Sequence, residues 1–145
     1  MVIVSLILIG VFLSGCGKES KSGEITAKEI ADQQKVITQY YGYIDQGKYK
    51  DAYALTTVGF QRGLSYDNFV YQYREYVKSV KVIAMNRLKQ FSDKNNGAFN
   101  VALDPSYRKK YPYGDGQLPQ VHVLQRENPG SAVWKIDSIG VGRGE

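Results

Sequence analysis

This chain offers little for chemistry: one imidazole, one thiol and an excess of phenols. His122 is the only histidine, and as a general base it would need an orienting acid, such as Asp137 across a sheet. The simpler reading makes it a surface or partly packed strand histidine, because the neighbours expected to point inward are Tyr, Phe, Ile and Val. Twelve of 145 residues are tyrosine. Each phenol brings an apolar ring and one hydroxyl, so Tyr40, Tyr43 and Tyr73, with His122 and Trp134, could line a ligand pocket. Equally, large amphipathic side chains could simply fill a small core. The stretch Asp104–Pro119, DPSYRKKYPYGDGQLP, interleaves Tyr107, Tyr111 and Tyr113 with Arg108, Lys109 and Lys110. Basic and aromatic groups together are used against phosphates and stacked rings, and loops of this length are more often functional than short ones. A solvated hairpin is the plainer account of it. One cysteine and one histidine supply too few ligands for a Cys- or His-based metal site. No nucleophile–base pair or phosphate loop is visible, and no cofactor is expected. Gly140-Val141-Gly142-Arg143-Gly144 imitates the start of a dinucleotide fingerprint, but no helix pattern follows, so 141–145 reads as a tail.

The thiol stands in a distinctive place. Val2–Leu13 is an uncharged apolar run of twelve residues, which as a helix would rise about 18 Å, short of the roughly 30 Å hydrocarbon core. It has the size of the apolar region of a signal peptide. The residues that close it, Leu13-Ser14-Gly15-Cys16, resemble the lipobox of bacterial lipoproteins. That resemblance implies loss of residues 1–15 and a diacylglycerol carried on Cys16 through a thioether. It also implies a domain anchored on the extracytoplasmic face of the cell membrane by its acyl chains. A plain signal peptide with an incidental cysteine, or a buried apolar helix, are the alternatives. All 19 basic and 14 acidic residues lie beyond Cys16, so the mature part keeps the net charge of +5. Export disfavours the nucleic-acid partner that such a charge would otherwise suggest. Lipid headgroups, anionic envelope polymers or an acidic envelope protein remain.

Behind Cys16 the segment 17–24, GKESKSGE, reads as a flexible tether, and residues 25–140 as one domain. With 43% hydrophobic and 23% charged residues, the composition is that of a globular protein. Thr26-Ala27-Lys28-Glu29 matches a capping box, and Ala27, Ile30, Ile37, Tyr40, Tyr41 and Ile44 form one apolar stripe up to Gly47. A helix over about Ala27–Gln46 follows. A second is expected over Lys48–Thr56, then a turn through Gly59–Gly63. Ser65 would cap a third helix, Tyr66–Ser79, striped by Phe69, Tyr73, Tyr76 and Val77. The period then changes to two. Strands are expected over Val80–Phe91, Phe99–Leu103, Val121–Leu124 and Ala132–Ile139, with turns at Asp93–Gly97 and Glu127–Gly130. Helices followed by strands, without alternation, predict an α+β fold: three helices packed on a curved antiparallel sheet of about four strands.

Several residue groups are similar to a known superfamily. Tyr40-Tyr41, Gly47-Lys48-Tyr49 and Asp51-Ala52-Tyr53-Ala54-Leu55 look like the first helical hairpin of NTF2-like (cystatin-like cone) domains. Ser65-Tyr66 with Phe69, Tyr73 and Tyr76 resembles the third helix, and Val133-Trp134-Lys135-Ile136 the closing strand. The resemblance implies a cavity between the sheet and the first helix, and pairing of sheets between two copies. It leaves function open, since members include isomerases, dehydratases and non-enzymatic binding modules. The expectation from the whole sequence is a non-enzymatic envelope module. Its alternative is a small-molecule binder or isomerase-like enzyme using the cone.

Overall fold

A computed structural model describes residues 25–110 and 120–141. The lipobox with Cys16, the tether 17–24, Tyr111, Tyr113 and the tail beyond Val141 lie outside the described residues. The fold is α+β, with four helices ahead of one open antiparallel sheet.

Helix α1 spans Ala27–Asp45 and begins with the expected capping box, in which Thr26 and Glu29 satisfy each other's backbone amides. It stops where glycine permits. Gly47 sits at φ +71°. Lys48 N–H then reaches back to the Tyr43 carbonyl at 2.8 Å and Gly47 N–H to that of Ile44 at 3.0 Å, closing the last turn. The face bearing Ile37, Tyr40, Tyr41 and Ile44 is buried.

Helix α2, Tyr49–Ala54, is followed by a short extended piece. Leu55 and Thr57 bond to Ile136 from either side, at 2.9 Å each, adding a parallel bridge to the outer edge of the last strand. Thr57 then caps helix α3, Val58–Gly63, by accepting from Phe60 N–H. The sequence predicts only a turn here. Six residues with glycine second and last are too few to show a 3.6-residue period, yet one capping threonine is enough to start a turn of helix. Ser65 caps α4, Tyr66–Tyr76. That helix ends three residues before the expected Ser79, because β-branched Val77 and Val80 enter a strand and Asp45 accepts the Val80 amide at 2.9 Å.

The strands are β1 Val77–Arg87, β2 Asn96–Tyr107, β3 Gln120–Arg126 and β4 Trp134–Val141, in the order β1-β2-β3-β4. A single 3₁₀ turn, Lys89–Phe91, follows β1. Asp93 then folds the chain back by accepting the amides of Asn95 and Asn96, at 2.6 and 2.8 Å. Strand β2 runs further than its alternation indicates. Asp104–Tyr107, expected to open the long loop, continues to pair with β1, Tyr107 opposite Val77. Pro105 is tolerated because the pairing of β2 with β3 ends at Val101 opposite Gln120, so among the described residues no ladder bond is interrupted on that side.

Helix α1 contacts both edge strands, β1 and β4, as well as α2. Ile37, Tyr40, Phe69, Phe99, Val101, Leu124 and Ile136, all with no exposed surface, fill the space beneath it. The approach is closest at Gly97, where a β-carbon would sit 2.5 Å from three atoms of the buried Gln33 side chain. Any larger residue at this position would force the Gln33 side chain to move. Among the described residues no helix is long and apolar enough to cross a membrane.

Candidate functional site

Where α3 leaves the edge of β4, a cleft of about 480 Å³ opens between α3, α4 and the second half of that strand. Tyr40 from α1 and Tyr73 from α4 meet at its floor, their hydroxyls 3.1 Å apart. Burial, with Tyr73 and Tyr41 close by, pushes the Tyr40 phenol well above its ordinary pKa. It therefore acts as a neutral hydrogen-bonding group and not as an anion. Gly63 and Leu64 form one wall, and Asp137 to Gly140 the other. Asp137 is the single charged side chain among the described residues that line the cleft. Its carboxylate accepts from Thr57 Oγ at 2.8 Å and from Gln125 Nε2 at 3.3 Å.

Gln120, at the start of β3, connects this cleft to a buried polar chain. The Tyr41 hydroxyl lies 2.9 Å from Gln120 Oε1 and 2.7 Å from His122 Nε2, two groups that compete for its one proton. Nδ1 of His122 is 3.2 Å from the Gln120 backbone carbonyl. A carbonyl can only accept, so the neutral ring carries its proton on Nδ1 and offers Nε2 as acceptor. Burial lowers the His122 pKa to about 4, against the opposing pull of the carbonyl bond. The ring is neutral at pH 7.

The residues singled out from the sequence thus fall in three places. Tyr40 and Tyr73 are brought together on the cleft. His122 has no exposed surface and sits behind it, so the surface or partly packed position read from the sequence is corrected. Tyr41 is what makes the burial affordable, since it satisfies Nε2. The partnership of His122 with Asp137 that a general base would need is not formed, each being held by other groups. Tyr43 packs half-buried against the core without lining the cleft. Trp134 is buried at the far end of β4, where the Arg126 guanidinium lies 4.4 Å over its ring. Arg126 also bonds Glu29 and the carbonyls of Lys94 and Ser131, tying the start of α1 to the β3–β4 hairpin. Bonds from the Thr26 backbone and hydroxyl, then that guanidinium, hold the Glu29 carboxyl down at about 2. This corner is a structural clasp.

Of the basic–aromatic stretch, Tyr107 ends β2, and Arg108 N–H bonds the Tyr76 carbonyl at 2.8 Å. Lys109 is already engaged: Glu75 is 3.2 Å away, and the ammonium lies 4.8 Å over the Tyr76 ring. Arg108 and Lys110 are exposed. Among the described residues no group of three His, Cys, Asp or Glu could hold a metal ion.

Sequence reasoning missed Gln72, Gln120 and Gly63 as parts of one site. The available signal was Thr56-Thr57 followed by Gly59 and Gly63, a capping threonine and two small residues beside the strand edge. No protein-family model matches this chain, and no curated protein matches it significantly.

Proposed function

We propose that this chain is a lipoprotein held on the extracytoplasmic face of a bacterial membrane through Cys16, and that its domain is an NTF2-like, non-enzymatic binding module. The single observation that carries the binding function is the cleft: open, floored by two neutral hydroxyls and bearing one carboxylate. The lipobox residues support the address. Helices preceding a four-stranded meander, with α1 touching both edge strands, support the cone. The isomerase-like alternative would have to use Asp137 as its base, but that carboxylate is already held by Thr57 and Gln125, and His122 is buried behind Tyr41 and Gln120. The partner is an envelope component. For an anionic polymer the exposed Arg108 and Lys110 are the fitting contacts, since Asp137 makes the cleft itself repel anions.

Gly63 gives a clean test. A β-carbon there meets nothing within 4 Å, so Gly63→Phe adds an aromatic side chain to the wall of the cleft at a position where the backbone has room for it. Full-length protein extracted from its own membranes in mild detergent should carry a ligand, seen as added mass in native mass spectrometry. Gly63→Phe should lose it, and Lys89→Phe on the distant 3₁₀ turn should keep it. An adduct equal in both variants, or none in the wild type, contradicts the proposal.

A further inference from the structure

Resting on that reading of the cleft, we infer that its ligand is an extended, cationic segment of a partner protein, bound by adding a strand to the outer edge of β4. The chain already shows this mode of binding on itself. Leu55 and Thr57 bond the outer edge at Ile136 as a one-bridge parallel strand, and the pairing stops only because Thr57 starts α3. Past that point, among the described residues, no segment pairs with the outer edge of Asp137–Gly140. Those four residues form the wall of the cleft. An exposed strand edge is a row of unmet donors and acceptors that another extended chain can satisfy. Four residues span about 13 Å, room for a short peptide laid along them.

The walls then select the side chains. Successive residues of an added strand point to opposite faces, so alternate ones turn toward the floor, where the Tyr40 and Tyr73 hydroxyls and the Leu64 side chain offer a mixed polar and apolar surface. Among the described lining residues Asp137 supplies the one charge. In a protein with a net charge of +5, a cleft whose one charged group is acidic selects for lysine or arginine and against aspartate or glutamate. Gly59 lies beside that carboxylate: a β-carbon there would stand 3.5 Å from both Asp137 Oδ1 and Thr57 Oγ1.

The test uses the full chain in detergent and fluorescent six-residue peptides of alternating Val and Ser, with Lys, Gln or Glu at the centre, read by anisotropy. The Lys peptide should bind tightest and the Glu peptide weakest. Methylating alternate backbone nitrogens of the peptide, which removes donors and leaves its charge, should weaken binding by more than about tenfold. Asp137→Asn should weaken the Lys peptide about tenfold and leave the Gln peptide unchanged. Gly63→Phe should abolish all binding. Affinity indifferent to N-methylation overturns strand addition, and a Glu preference overturns the cationic choice. If no peptide binds while the Gly63-sensitive mass adduct persists, this inference fails and the cleft reading stands. If the adduct is missing as well, both fail.

Discussion

Acidifying the protein from pH 7 to pH 4 should cost its fold about 3 kcal/mol through His122 alone. The unfolded imidazole takes up its proton near pH 6.5, whereas the folded one, desolvated beneath α1, holds off until about pH 4. Protonation therefore favours the unfolded chain throughout that window. The contribution is fully present above pH 6.5 and is lost as the pH falls toward 4. A second loss follows below it. Glu29 is held at about 2 against an ordinary 4.5, so its contribution is complete above pH 4.5 and disappears as the pH falls through 2. Urea midpoints measured between pH 4 and pH 7.5 should fall steadily on the acid side of 6.5. In His122→Gln, which keeps an amide near Tyr41 but cannot titrate, that segment should be flat down to about pH 4.5, where the loss through Glu29 begins. His122→Ala should lose about 3 kcal/mol at pH 7, through the cavity left beneath α1 and the loss of the Tyr41–His122 hydrogen bond. A wild-type midpoint that does not move between pH 4 and 6.5 would show that the ring is not buried as described.

Changing one atom at residue 16 should change where the whole protein resides. In Cys16→Ser the hydroxyl replaces the only thiol in the chain, and no thioether to diacylglycerol can form. Two acyl chains are what make such anchoring stable, so their removal should move the protein almost completely from the membrane pellet. Cells fed labelled palmitate should mark the wild-type chain and leave Cys16→Ser unlabelled. Among the described residues no helix is long and apolar enough to cross a membrane. Labelling that survives the substitution would overturn the lipobox assignment, and with it the extracytoplasmic address.

How far the sequence reached can be judged element by element. Helix α1 was legible because its signals are local and redundant: a capping box, an apolar stripe and a glycine at the left-handed stop. The four-strand meander was legible from order alone. Several boundaries were not, β1 for example ending at Arg87 and not at Phe91, and two of them share one reason. The end of α4 and the extent of β2 are set by tertiary pairing, Asp45 with Val80 and Val77 with Tyr107, which no local window contains. His122 shows the limit of alternation. A period of two says that His122 and Leu124 share a face, and both are indeed buried. It does not say which face meets the helix, nor that Tyr41, eighty-one positions earlier, would satisfy the ring. Tyr40 and Tyr73 were visible as candidates, but the cleft itself was not. It is assembled from α1, α3, α4, β3 and β4, and it exists because a six-residue helix peels away from a strand edge.

One cross-linking measurement in living cells reaches both the membrane address and the cleft. A benzophenone side chain is placed at Gln72, which is exposed on the cleft, or at Lys89 on the remote 3₁₀ turn. On irradiation, Gln72 should give a discrete cross-linked product in the membrane fraction, and Lys89 should not. The Gln72 product should disappear when Cys16→Ser is combined with it. The same products from both positions, or a Gln72 product indifferent to Cys16, would contradict the account.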